Sequence, residues 1–175
     1  MNDLTFFVAG TMQGRLCGGA IVDQRYRETI AATIRDAFPS ASIICPYEAM
    51  VGLFAERREA LLVALHEVSR VPVASAAEYP RGIADVVTFF HDMTRRASAA
   101  DVVVAYLASD EPSMGTAMEM WSAHAAGRTV IAITNLRESL AVLATSDFIV
   151  PDLETFACLL APDGAFVTHL RSRHG

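Results

Sequence analysis

Glu119 is the side chain in this sequence with the most chemistry to offer. It stands in Thr116-Ala-Met-Glu119, directly after Pro112-Ser113-Met-Gly115, at the start of a segment that reads as a helix from Thr116 to Gly127. Two readings fit it. In a T-x-x-E capping box, the carboxylate in the first helical turn accepts from the N-cap backbone N–H and favours the positive end of the helix dipole. Alternatively, the carboxylate is a nucleophile or base at a cleft, with the preceding Pro-Ser-x-Gly stretch letting a substrate approach the backbone. The tetrapeptide by itself leaves both open.

Other polar stretches are less specific. Gly10-Thr11-Met-Gln13-Gly14, followed by Arg15, Gly18 and Gly19, is neither the P-loop pattern nor G-x-G-x-x-G, so it reads as a plain turn or a weak phosphate cradle. His91-Asp92 reads first as a solvated pair on a helix face, since histidine is often neither catalyst nor ligand. Cys17, Cys45 and Cys158 are widely spaced and lack C-x-x-C, so neither a disulfide framework nor a zinc site is expected, and no metal or cofactor is implied.

The elements that must position these residues follow from apolar patterning. Residues 101–107 form a Val-rich run apolar enough to be covered on both faces, as in a parallel sheet, and residues 129–134 form a second strand. With the intervening helix they make one right-handed crossover. Ligands collect at the carboxyl ends of such strands, which selects residues 109–115 and the first helical turn. Upstream, residues 4–9 suit a first strand, and Asp23 is a good N-cap for a helix to about Ala37, with Tyr26, Ile30 and Ile34 on its core side. A strand at 41–45 closed by Pro46, a helix at 53–68, an inserted loop near 71–82 and a helix at 83–96 lead to Asp101, which reads as a strand-start structural residue. Beyond Thr134 the pattern gives a helix at 136–144, a strand at 148–150, a helix at 152–160 and a mobile basic tail from about 162.

These elements predict one α/β domain over residues 1–175: a doubly wound, mostly parallel five-stranded sheet with helices on both faces, Rossmann or flavodoxin-like. At 53% hydrophobic, the chain supports a substantial core. Its formal charge of −6 argues against a nucleic-acid polymer as partner, although small anions can still bind at helix termini. No apolar run reaches membrane-spanning length, and Asp3 stands where a signal peptide would be basic, so a cytoplasmic protein is expected.

The block A-D-V-V-V-A, then P-S-x-G, then three residues and Glu119, then a small-residue helix and a strand, resembles the nucleoside 2-deoxyribosyltransferase family, most nearly its nucleotide N-glycosidase branch. The first loop, G-T-x-x-G directly after a strand, extends the match. The resemblance implies that Glu119 attacks the anomeric carbon of a nucleoside or nucleoside 5′-monophosphate, that Asp92 hydrogen-bonds the sugar or base, and that Gly10, Thr11 and Gly14 line the ribose, with Ser113 and Gly115 beside Glu119. It also implies a homodimer or higher oligomer whose sites are completed by a neighbouring subunit, with Ser139 a candidate for that role. Two positions depart from the family. Phe7 stands where a tyrosine hydroxyl would hold the glutamate, and Gln13 stands where an arginine would clamp a phosphate, a task left to Arg15. These departures keep a second expectation open: a nucleotide-binding sensor of the same fold without turnover.

Overall fold

The computed structural model describes residues 3–12, 23–54, 57–107 and 113–174. Five strands, β1 (Thr5–Gly10), β2 (Ser42–Ile44), β3 (Val102–Leu107), β4 (Thr129–Thr134) and β5 (Phe148–Val150), pair in parallel in the order β2-β1-β3-β4-β5. This is the doubly wound α/β architecture expected from the sequence, with every described strand pair parallel.

Each central strand is apolar on both faces because each face has its own helical cover. Phe6, Val8, Val102, Val104, Ile131 and Ile133 pack with Ile30 and Ile34 of α1 (Arg25–Ala37) and with Phe156 and Leu160 of α7 (Leu153–Leu160). The alternate residues Phe7, Ala9, Val103, Ala105, Val130 and Ala132 pack with Met93 and Ala97 of α4 (Arg81–Ala99) and with Met120 and Ala123 of α5 (Met114–Ala125). On this second face Ala9, Ala105 and Ala132 stand in one register row across β1, β3 and β4. A row of methyl groups lets the covering helices lie close to the sheet near its carboxyl end. Asp101 is structural, as expected: its Oδ2 accepts from Thr5 N at 2.8 Å and its own N–H donates to Thr5 O at 2.9 Å. Asp147 does the same between β4 and β5, through Val130 N and Val130 O, both at 2.8 Å.

Several expectations are corrected. Residues expected to form one helix at 53–68 belong to two, α2 (Pro46–Phe54) and α3 (Arg58–Arg70), because Pro46 serves as a helix-opening residue. Asp23 does not sit at the N-cap. Gln24 holds that place, while Asp23 accepts from Arg25 N at 3.0 Å and pairs with the Arg25 guanidinium. The stretch at 71–82 is a loop with one short 3-10 turn (Ala76–Glu78), and α4 begins at Arg81. The helix after β4 is shorter than expected, α6 (Leu140–Thr145).

The tail is not a free end. Residues Ala165–His174 form α8, which buries Phe166, Val167 and Leu170. Phe166 is fully buried, with ring centroids 6.3 Å from Phe6, 5.9 Å from Phe38 and 6.2 Å from Phe148. Phe166→Ala should therefore cost on the order of 3–5 kcal/mol in urea unfolding. A loss below about 1 kcal/mol, the level of surface changes, would return this segment to a passive role. Among the described residues no helix is long and apolar enough to cross a membrane.

Candidate functional site

From β1 the chain turns to β2 on one side and later crosses to β3 on the other, so the strand order reverses between β1 and β3. In open parallel sheets the crevice beyond the carboxyl ends at such a point is where ligands bind. Here those ends are Gly10, in register with Tyr106, and Leu107. The glycine loop leaves β1 at this point, and α5, carrying Glu119, follows β3.

Glu119 is deeper in its helix than the sequence suggested. Ser113, not Thr116, is the N-cap of α5: its Oγ accepts from Thr116 N at 3.3 Å and lies 2.9 Å from Thr116 Oγ1. Serine caps at least as well as threonine, and its hydroxyl here satisfies the N3 donor, so the helix starts three residues early and the capping-box reading of Glu119 falls. Glu119 sits in the second turn, on the stripe Thr116, Glu119, Met120, Ala123 that faces the sheet, and is only 5% exposed. Burial pushes its carboxyl up to about 8, with Arg27 opposing the rise. At its far end α5 closes where expected, at Gly127 (φ 69), with Gly127 N donating to His124 O and Arg128 N to Ala123 O.

Gly10 is buried at the strand end, and a Cβ there would collide with the Tyr26 hydroxyl, so glycine is required for close packing. The Thr11 carbonyl accepts from Gln24 Nε2 at 3.1 Å, and Tyr26 Oη lies 3.5 Å from the same oxygen. The Tyr26 ring stacks on Tyr106 of β3 at a centroid distance of 4.2 Å, and burial pushes its phenol up to about 12, keeping it a neutral donor. Gly115 leaves room for the Phe90 ring, which a Cβ would meet at 3.3 Å. Ser139, the N-cap of α6, lies beyond the carboxyl end of β4, at the same end of the sheet.

Phe7 does not line a crevice: it is fully buried, packed in the cluster that holds Met93 and Met120. Asp92 forms ion pairs on its own helix, with Arg96 Nε at 2.9 Å and Arg95 Nη2 at 3.8 Å, and its side chain is 42% exposed. Gln13, Gly14 and Arg15 lie outside the described residues, as do residues 108–112. Among the described residues no group of three or more His, Cys, Asp or Glu side chains gathers to hold a metal ion.

Sequence reasoning missed Arg27. It is 4% exposed and donates to Val8 O at 2.6 Å, Gly10 O at 2.9 Å and Gln24 Oε1 at 2.6 Å. The available signal was helical spacing: Arg27 falls three residues before Ile30 and seven before Ile34, on the stripe already read as core. A cleft of about 130 Å³ opens beside it, with Glu28, Arg35, Cys45 and Glu48 among its walls. That volume is far below the roughly 300–1,000 Å³ of ligand pockets, and Glu119 is not one of its walls, so this cleft is not the candidate site.

A scan against protein-family models finds no match, and neither does a search of curated proteins. Among solved structures, the chain is similar to a 2-deoxyribosyltransferase from the psychrotolerant bacterium Bacillus psychrosaccharolyticus, with a TM-score of 0.54 and 12% identity over 94% of each chain. Lower scores relate it to a conserved protein from Enterococcus faecalis V583 (TM-score 0.49, 17% identity, 89% of this chain and 95% of that one) and to a 2-deoxyribosyltransferase from Leishmania mexicana (0.41, 16%, 74% and 63%). Only the first of these likenesses bears on the fold, and at its level of identity it bears on the fold alone: the chain has the doubly wound fold of a 2-deoxyribosyltransferase.

Proposed function

We propose that the protein breaks or exchanges the N-glycosidic bond of a nucleoside or nucleoside 5′-monophosphate, with Glu119 as nucleophile. The observation that carries this reading is a buried carboxyl beside the β1/β3 switch point, on the helix that follows β3, in a chain with the 2-deoxyribosyltransferase fold. A carboxyl left on the sheet-facing stripe of a helix is costly unless it has work to do there.

In the proposed reaction the ionised Glu119 attacks C1′ of the sugar. The C–N bond breaks with its electron pair leaving on the base, which takes up a proton, and a glycosyl ester forms on the carboxyl oxygen. Water or a second base then attacks C1′ and releases the carboxylate, so configuration is retained. Gly10, Thr11 and Gly14 would border the ribose, Ser113 and Gly115 would hold the helix start, and Arg15 would meet a 5′-phosphate in place of an arginine at Gln13. Asp92 would reach the sugar or base only by leaving its two arginine partners.

The test is incubation with a panel of nucleosides and 5′-monophosphates, followed by detection of free base. Release from at least one compound supports the reading. Burial favours the protonated, non-attacking form of Glu119 at neutral pH, which gives the second reading, a nucleotide sensor, its own support. Binding without release across the panel would establish that alternative.

We also propose that the active unit is a homodimer or higher oligomer. Met114, Met118 and Trp121 of α5 form an exposed apolar stripe at helical spacing, and Leu140 and Leu143 of α6 are exposed beside it. Light scattering should give at least twice the 18.9 kDa chain mass. A monomer with full activity would contradict it.

A further inference from the structure

We infer that Arg27 is a positioning residue of the candidate site: tied to the carbonyls at the end of β1, its guanidinium fixes the exit into the glycine loop and holds a positive charge toward Glu119. The inference rests on the proposed role of Glu119.

The sheet geometry explains the tie. β2 pairs with β1 from Thr5 to Phe7, and past Phe7 that edge of β1 has no strand partner among the described residues. Val8 O and Gly10 O, two residues apart, point the same way, and Arg27 donates to both. Gln24 orients the guanidinium through Oε1 and reaches Thr11 O through Nε2. The first turn of α1 thus holds the carbonyls of Val8, Gly10 and Thr11, where the chain leaves β1.

The charge is the second half of the inference. Arg27 is buried, its oxygen acceptors are uncharged amide and peptide groups, its remaining acceptor is the Cys45 Sγ at 4.0 Å, and among the described residues no carboxylate lies within 4.0 Å of it. Carbonyls satisfy its N–H groups without neutralising its charge. The buried carboxyl that feels this charge is Glu119. Of the groups that act on Tyr26 at this end of the sheet, Arg27 is the cation, beside Cys45, Glu119 and Tyr106; Glu28, Arg35 and Glu48 line the cleft next to Arg27, and Arg137 and Glu138 stand in the loop after β4. On α4, His91 is exposed and Asp92 is paired with arginines, while α6, β1 and β4 bring no ionisable side chain. Arg15, Asp110 and Glu111 lie outside the described residues. A plain structural plug for the strand edge would need only donors, whereas this role needs the charge as well.

The test follows the Glu119 carboxyl directly, by carbon-13 NMR of glutamate-labelled protein, with the signal assigned by its loss in Glu119→Gln. Two variants are measured beside wild type: Arg27→Lys, which keeps the charge, and Arg27→Gln, which keeps N–H donors without it. Arg27→Gln should raise the Glu119 midpoint by about one pH unit, a tenfold gain in proton affinity, and Arg27→Lys should return it most of the way to wild type. An unmoved midpoint in folded Arg27→Gln, or equal midpoints in the two variants, would overturn the inference even if both melt lower than wild type. The readout does not depend on turnover. Failure of the glycosidic reading appears as no base release from wild type, and failure of this inference as a midpoint indifferent to charge at Arg27.

Discussion

Glu119→Gln should lower base release by about a thousandfold or more while the protein melts at or above the wild-type temperature. The two halves of this result come from one fact. Burial keeps the Glu119 carboxyl protonated at neutral pH, so a carboxamide of the same shape replaces it without a lost charge. Yet an amide cannot form the glycosyl ester, and removal of a nucleophile acts on the chemical step itself. Nucleosides should still bind the variant. Glu119→Ala should lose activity to the same extent and also lose stability, because it leaves a cavity under α5. Near-normal release by Glu119→Gln would remove the carboxyl from the chemistry. The capping explanation is already gone, since Ser113 holds that role.

The second large effect is on pH dependence. The Glu119 carboxyl titrates near its ordinary 4.5 in the unfolded chain and near about 8 in the folded one. Between these values the folded state binds the proton that the unfolded state has released, so stability is full below the lower value and is lost as pH rises through the upper one. The loss is on the order of 4 kcal/mol. Urea melts at pH 5 and pH 9 should differ by an amount of that order, after subtraction of the same difference measured in Glu119→Gln, which lacks the group. Activity runs the opposite way: kcat/KM for base release should rise with a midpoint at about pH 8, toward a plateau at higher pH, as the attacking carboxylate forms. A kcat/KM that is flat from pH 6 to pH 9 would contradict a nucleophile with this environment.

The sheet was legible because its strands are apolar on both faces. Residues 129–134 were read to the residue, and the strands at 101–107 and 4–9 differ from the observed bounds by one residue. Helix starts were less legible because several residues can compete for one cap. Ser113 outcompeted Thr116, and Gln24 took the place expected for Asp23. The first of these shifts moved Glu119 from the first helical turn to a buried stripe in the second. Arg27 escaped notice because a charged residue between core positions reads as surface, and its burial depends on unpaired carbonyls in β1, a tertiary feature. α8 escaped because Phe166, Val167 and Leu170 alternate with polar and basic residues in a short segment, and their partners are as distant in sequence as Phe6 and Phe38.

The central claim is that Glu119 bonds to the sugar, and trapping that bond tests it most directly. Wild-type protein in excess is mixed with a substrate found in the nucleoside panel, labelled in its sugar, quenched in acid within one turnover, digested and mapped by mass spectrometry. The account predicts the labelled sugar on the peptide carrying Glu119, forming and decaying on the timescale of base release. Base released at an undiminished rate with the label on a different residue would contradict it.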